Sequence, residues 1–358
     1  MEQLVKYEQL YTFTKNIFLK VGCTDTDATT ATKTLLSADL RGVDSHGIAR
    51  LSGYIRLWEA KRINTTPLIK IIHETPSTAV IDGDAGLGLV VAPYAMQIAI
   101  SKAKNVGTGW VSVQNSNHFG IAGIHAMMAL QNDMIGIAMT NASALVAPTF
   151  AKQKMLGTNP IAVAIPAGSE AAFVADFATT TAANGKLEIQ QRKNKPVPKG
   201  WVQTHDGTDS TNANELKDGG ALLPLGSNRE GSSHKGYMLG SIVDIFSGVL
   251  SGANYGPWVP PFPAYIPMPL NMPGKGIGHF FGAMRIDAFR PAADFKTDMD
   301  NWIQAFKNAE PILPEQNVII PGEPETAMEA ERREKGIPII ESVINDLVLL
   351  GKKFGVDF

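Results

Sequence analysis

The run Arg41-Gly42-Val43-Asp44-Ser45-His46-Gly47-Ile48-Ala49-Arg50 is the densest polar cluster in the chain. Arg grips a carboxylate through two parallel N–H donors, and His, with an ordinary pKa of about 6.5, gives or takes a proton at neutral pH. A 2-hydroxy acid asks for both, an anchor for its carboxylate and a proton relay for its hydroxyl. Ser45 reads as the N-cap of a helix whose apolar residues Ile48, Leu51, Ile55 and Trp58 step by three and four. On such a helix His46 and Arg50 stand at i and i+4, within about 40° of each other and away from the apolar stripe. The pattern alone equally suits a solvated polar face behind a capped helix start.

Three further clusters carry polar groups. Asn115-Ser116-Asn117-His118-Phe119-Gly120 follows a predicted strand and precedes a helix opening at Ile121 or Ala122. Small polar residues and helix N-terminal amides suit a ligand-facing loop and a phosphate. His118 and His125 are seven apart, but no third ligand lies at zinc-like spacing, so no metal is expected. Asp176 ends the strand Val174–Phe177, as a turn residue or as an acid that orients a catalytic His. Ser232-Ser233-His234-Lys235-Gly236 opens a Gly-rich helix, and its Lys is either an anion clamp or part of a plain capped start.

These residues need elements to hold them. Up to about residue 75 the pattern is helical: Tyr7–Lys20, then a helix capped by Asp25 or Thr26 and running to Leu40, then the one after Ser45. From Leu68 short β-rich runs alternate with helices near 90–105 and 122–132. The runs are Ile69–Glu74, Thr78–Asp82, Gly109–Gln114, Ile135–Thr140, Pro160–Ile165, Phe173–Phe177 and Phe280–Ile286. Their uneven spacing leaves some connections too short for a helical crossover, which predicts a mixed sheet. The end is helical again over Asp294–Ala309, Glu325–Lys335 and Pro338–Phe354, and Pro257–Pro273 reads as a loop or lid. Three parts are expected: an N-terminal helical segment (1–75), an α/β domain (76–290) inserted after it, and C-terminal helices (291–358) packed on the first.

Whole-chain properties narrow the class. With 358 residues, 44% hydrophobic, the chain can bury an ample core. A formal net charge of −2 supplies no basic excess for neutralising phosphates, which argues against nucleic acid. Neither a secretory leader nor a membrane span is expected. The most apolar stretch, Gly236–Tyr255, holds Asp244 and several glycines and reads as a tightly packed internal helix. The single cysteine, Cys23, excludes an intrachain disulfide and fits a reducing, cytoplasmic setting. No Gly-x-Gly-x-x-Gly stands between strand and helix, so the Rossmann fingerprint is missing, as are a P-loop and a Gly-x-Ser-x-Gly elbow.

Several of these stretches, taken in order, resemble the malate/L-lactate dehydrogenase family of the second type. They are Arg41–Arg50, Asn115–Gly123, Thr140–Pro148, Leu156–Pro166, Asp176–Glu188, Gly219–Gly226, His234–Tyr237, Gly278–Phe289 and Gly336–Ile340. The resemblance implies a non-Rossmann, three-layer α/β/α fold with a mixed sheet, set into a helical domain formed by both chain ends. It also implies a homodimer with the active site near the subunit interface.

By the same resemblance, His46 matches the proton donor/acceptor, with Ser45 beside it, and Arg50 matches the carboxylate anchor. Asp176 matches an acid in relay with the Ser-His pair, and His118 a second candidate for proton transfer. The cofactor positions would be His118, Phe119, Gly120, Ile121, Ala122 and Ser143, then Asp176, Phe177, Ala178, Thr179, Thr180 and Thr181. His234, Lys235, Gly278, His279 and Phe280 complete them. The expected cofactor is NAD, with NADP as the variant. Malate is the expected substrate, since Asn115–Gly123, Leu156–Pro160 and Gly219–Gly226 are most similar to malate-oxidising members. Lactate, sulfolactate, ureidoglycolate and a cyclic 2-imino acid are the alternatives within the family. Outside it stands a catalytically silent scaffold. The Pro-rich 257–273 segment does not match the family pattern and could shape the substrate mouth.

Overall fold

The structure, a computed structural model, describes residues 2–313 and 315–358. Strand β1 (Glu2–Val5) opens the chain, followed by α1 (Tyr7–Lys20), α2 (Asp25–Leu40) and α3 (Leu51–Glu59). Thr24 caps α2 by accepting the Asp27 N–H, one residue earlier than expected.

The α/β part runs β2 (Lys70–Glu74), β3 (Thr78–Asp82), α4 (Gly88–Val106), β4 (Thr108–Ser116), α5 (Ala122–Met127), β5 (Met134–Thr140), β6 (Ile161–Ile165) and β7 (Phe173–Phe177). After α6 (Asn184–Arg192), the short strands β8 (Val202–Gln203), β9 (Asp209–Ser210) and β10 (Ala221–Leu222) form a side sheet. The chain ends with α7 (Ser233–Asp244), β11 (Ile277–Arg285), α8 (Ala292–Lys307), α9 (Glu323–Lys335), β12 (Ile337–Ile340) and α10 (Glu341–Phe354).

The main sheet has the order β2-β3-β4-β11-β5-β6-β7. Only β3–β4, joined through α4, is parallel, so the sheet is mixed. The late strand β11 lies at its centre and pairs Ile277 with Ser116 on one side and His279 with Thr140 on the other. Side chains alternate along it. Phe281 joins the core under α4 and α5, while Phe280 packs against Trp110 and, below α7, Phe246. Helices therefore cover both faces in three layers.

The two chain ends meet. β1 pairs with β12, α9 packs on α2, and α10 packs on α1 and α3 around a core holding Leu10, Phe13, Leu35, Leu51 and Leu347. Two expectations fail here. Pro338 lies in a strand opposite Leu4 rather than in a helix, because an edge strand tolerates the missing N–H. Helix α8 leaves the helical layer and docks on the β6–β7 turn, where Asp300 accepts the N–H groups of Gly168, Ser169 and Glu170.

Candidate active site

The Ser45–Arg50 segment is not the capped helix its pattern suggested. Residues 44–46 and 48–50 form two 3-10 turns broken at Gly47, and α3 begins at Leu51. Ser45 caps nothing. A buried side chain from α2 overrides it: the Asp39 carboxylate accepts the Ile48 N–H at 2.7 Å, and a Cβ on Gly47 would collide with it. Arg332 of α9, also buried, donates to the Asp39 carbonyl and to the Asp44 carboxylate from the other side.

His46 and Arg50 still converge, by another route. Arg50 Nε donates to the Ser45 carbonyl at 2.6 Å, and Ser45 Oγ and His46 Nδ1 are hydrogen-bonded at 2.8 Å. The ring of His118 stacks on that of His46, with centroids 5.6 Å apart. Tyr54 Oη lies 2.6 Å from His118 Nδ1, and the Gly120 N–H donates to the same nitrogen at 3.3 Å. His118 is held by the loop after β4, whose small polar residues are spent internally. Asn115 donates to Asp82, Asn117 to the carbonyls of Ala85 and Gly86, and Ser116 bonds His279.

The Pro-rich segment reaches this group. Phe262 packs on Tyr54 and His118, with ring centroids 5.2 and 4.9 Å away, and its ring lies 5.7 Å from the Arg50 guanidinium carbon. It fits because a Cβ on Gly53 would stand 2.6 Å from its ring. Arg62 tethers the segment by donating to the Pro261 carbonyl.

Burial sets the electrostatics. Desolvation, then the Arg50 charge, pushes His46 down to about 4. His118 is lowered well below the ordinary value by burial, then by His46, Arg50 and His279. Asp176 does not bond the Ser-His pair. Its carboxylate, open to the cleft, accepts the Gly123 N–H at 2.7 Å, and the surrounding protein raises it to about 6 against the opposing pull of that N–H and of Arg41. One carboxylate oxygen is thus held by α5, and no direct hydrogen bond joins Asp176 to Ser45 or His46 among the described residues.

The expected cofactor residues form a path with exceptions. The strand end at Asp176, Phe177 and Ala178 leads to Thr179, which accepts the Leu225 N–H through its carbonyl. Thr180 pairs with Pro224, and Thr181 Oγ1 accepts the Ser227 N–H. Gly185, just beyond, lies against Ser45: its Cβ would stand 3.1 Å from that of Ser45. The 224–227 turn feeds α7, where Arg229 bonds His234 at 2.6 Å and Lys235 is exposed, with no carboxylate pairing among the described residues. Basic side chains at a helix start fit a dinucleotide diphosphate.

Other expected positions are walls. Phe119 and His279 are buried at 1% and 0% exposure and stack on each other, and His279 is satisfied by Thr140 and Ser116. Phe280, Ile121, Ala122, Gly120 and Gly278 are buried too; the Gly120 N–H donates to His118, and the Gly278 N–H and carbonyl both bond Asn141. Ser143 is half-buried beside Ala142, whose N–H goes to Asn159. His125 bonds the Phe119 carbonyl inside the core and does not face His118.

A sequence profile of the malate/L-lactate dehydrogenase family matches residues 5–348. The chain belongs to that family. It is 40% identical to malate dehydrogenase of Pyrococcus horikoshii over 99% of this chain and 96% of that protein. It is also 37% identical to L-sulfolactate dehydrogenase of Methanocaldococcus jannaschii over 96% and 94% of the two chains. The crystal structure of malate dehydrogenase from Entamoeba histolytica superposes with a TM-score of 0.92 at 34% identity, covering 100% of this chain and 99% of the other.

Within this family member, four site residues escaped the sequence reading: Asp39, Tyr54, Asn159 and Phe262. Asp39 sits among Leu35, Leu36 and Leu40, where a buried carboxylate signals a structural or functional demand. Tyr54 lies four residues after Arg50. Asn159 links Ala142, Gly240 and Thr179. Phe262 lies in the 257–273 segment expected to shape the substrate mouth, but nothing singles it out within that segment, since its partners His118, Tyr54 and Arg50 are distant in sequence.

Proposed function

We propose that the protein is a nicotinamide-dependent dehydrogenase that interconverts malate and oxaloacetate, in the cytoplasm and as a homodimer. The observation that carries this reading is the Arg50–Ser45 hydrogen bond of 2.6 Å, which sets a guanidinium beside two stacked imidazoles. Neither Arg50 Nη atom bonds another described residue, so the fork is open to the C1 carboxylate. The reading also draws on relatives named malate dehydrogenases that align over nearly the full chain.

NAD is the proposed cofactor, and when bound it supplies the hydride chemistry. The α7 cations would hold its diphosphate, and the 176–181 segment would line the path to Ser45. Arg50 orients the substrate so that C2 meets the cofactor, and Phe262 excludes water above His118. His46 exchanges the proton of the C2 oxygen, with Ser45 as its hydrogen-bond partner. Asp176 would act from the other wall, fixed to α5.

The dimer is proposed from α7. The glycines of α7 face inward, while Met238 and Ile242 on it, and Ile245, Phe246 and Val249 on the π-helical turn that continues it, with Leu250 at its end, are exposed, contrary to the internal helix expected from composition. An apolar stripe of this size marks an interface. Cys23 is buried and its thiol is pushed up to about 12, which suits a passive packing role.

Purified protein given oxaloacetate with NADH, and separately NADPH, should consume the nicotinamide absorbance and reveal the preferred form. Turnover with 3-sulfopyruvate instead would support the sulfolactate reading. Reduction only with a cyclic imino acid would move the chain to the imine-reducing alternative.

A further inference from the structure

We infer that the two stacked histidines have different jobs: His118 is a fixed hydrogen-bond donor to the substrate's C2 oxygen through Nε2–H, Tyr54 is its positioning residue, and the exchanged proton passes through His46. This rests on the dehydrogenase reading above.

The distinction comes from what faces each Nδ1. At His118 one partner is the Gly120 N–H, 3.3 Å away, which can only donate. Nδ1 then presents its lone pair, and the Tyr54 hydroxyl donates to it at 2.6 Å in preference to the His118 carbonyl at 3.4 Å. A neutral imidazole so held carries its proton on Nε2. Protonating Nδ1 would turn it against the Gly120 N–H, in a pocket already crowded by Arg50 and Phe262. Giving up the Nε2 proton would leave a buried imidazolate. His118 can polarise a carbonyl but is held in one charge state.

At His46 the partner is the Ser45 hydroxyl, 2.8 Å away. A hydroxyl rotates: it donates to Nδ1 of the neutral ring and accepts from Nδ1–H of the charged one. His46 thus keeps its hydrogen bond in both protonation states, which is what a proton carrier requires. In reduction C2 gains the hydride, the carbonyl π pair moves to oxygen, and the oxygen takes the proton from His46 Nε2. His46 ends neutral, and the His118 N–H bond stays intact. Oxidation runs the same balance backwards.

Nitrogen-15 NMR of imidazole-labelled, cofactor-free protein reads the tautomer directly and needs no turnover. His118 should be Nε2–H throughout pH 5–8 in the wild type, and Tyr54→Phe should mix in the other tautomer with little change in Tm. A wild-type Nδ1–H form, or an imidazolium at pH 7, would overturn the proposal. His118→Gln keeps an N–H near the Nε2 position and cannot carry the proton, so it should retain activity within about tenfold. His118→Ala should lose about 10²–10³-fold, as for a lost oxyanion donor. His46→Gln should lose about 10²–10⁴-fold. Equal loss in His118→Gln and His118→Ala, with His46→Gln active, would reverse the roles. Should Tyr54→Phe fail to fold, the wild-type spectrum and the His118 pair still decide. Absence of turnover with every 2-oxo acid would remove the dehydrogenase reading while leaving the tautomer measurable.

Discussion

The carboxylate of Asp39 fills the space that a Cβ of Gly47 would need, and from there it accepts the Ile48 N–H. One close approach thus ties α2 to the turn that carries Ser45, His46 and Arg50. Gly47→Ala should displace Asp39, lower stability by about 1–3 kcal/mol as overpacking does, and cut kcat/KM more than tenfold. Chemical denaturation and steady-state rates on the same preparation check this. Wild-type rates in a folded Gly47→Ala protein would show that the turn does not need this contact.

Arg50 is held through Nε with its fork open. Arg50→Lys removes both the Ser45 bond and the bidentate grip, so KM for the 2-oxo acid should rise roughly 10–100-fold with a smaller change in kcat. An unchanged KM would remove Arg50 from the carboxylate.

Phe262 roofs the site from the loop between α7 and β11, seated on α3 and tethered by Arg62. Phe262→Ala should raise KM for the small substrate and relax discrimination against bulkier 2-oxo acids. Gly53→Ala should act alike, because its methyl would collide with the same ring. Competition between two substrates in one vessel measures the ratio. A ratio equal to wild type in both variants would assign specificity elsewhere.

The pH dependence follows from His46, lowered to about 4 by burial and by Arg50. A lowered histidine pKa keeps the neutral, proton-accepting form dominant above that value. Oxidation of the hydroxy acid should therefore show no His46 limb near pH 6.5, and the His46 limb of kcat/KM should appear only as pH drops toward 4. Asp176, raised to about 6, is the group that would place an inflection there. Asp176→Asn should abolish such an inflection, whereas one that persists in the variant would belong to another group.

The exposed stripe on α7 and the turn that continues it makes a separate prediction. Ile242→Glu with Val249→Glu should dissociate the dimer, read by sedimentation velocity, since charges at an apolar interface must be desolvated. A wild-type protein that sediments as a monomer at micromolar concentration would refute the assembly outright.

Periodicity and turn chemistry in the sequence were enough to place α1 at Tyr7–Lys20, β3 at Thr78–Asp82 and β7 at Phe173–Phe177, all with the observed bounds. These elements are local in their causes: an apolar stripe at helical spacing, or β-rich residues between turn formers. The pairing of Ser45, His46 and Arg50 was also visible, because the three lie in one short run. The conformation of that run was not. Its pattern asks for a capped helix, and a carboxylate from the preceding helix and an arginine from α9 impose two broken turns instead. Likewise β11 was placed three residues late, because its start is decided by pairing with β4 and β5, far away in sequence. The partner of Asp176, the tautomer of His118 and the roof formed by Phe262 depend on which groups are brought within a few ångströms by packing. Spacing along a chain carries no record of such contacts, and tertiary structure alone decided them.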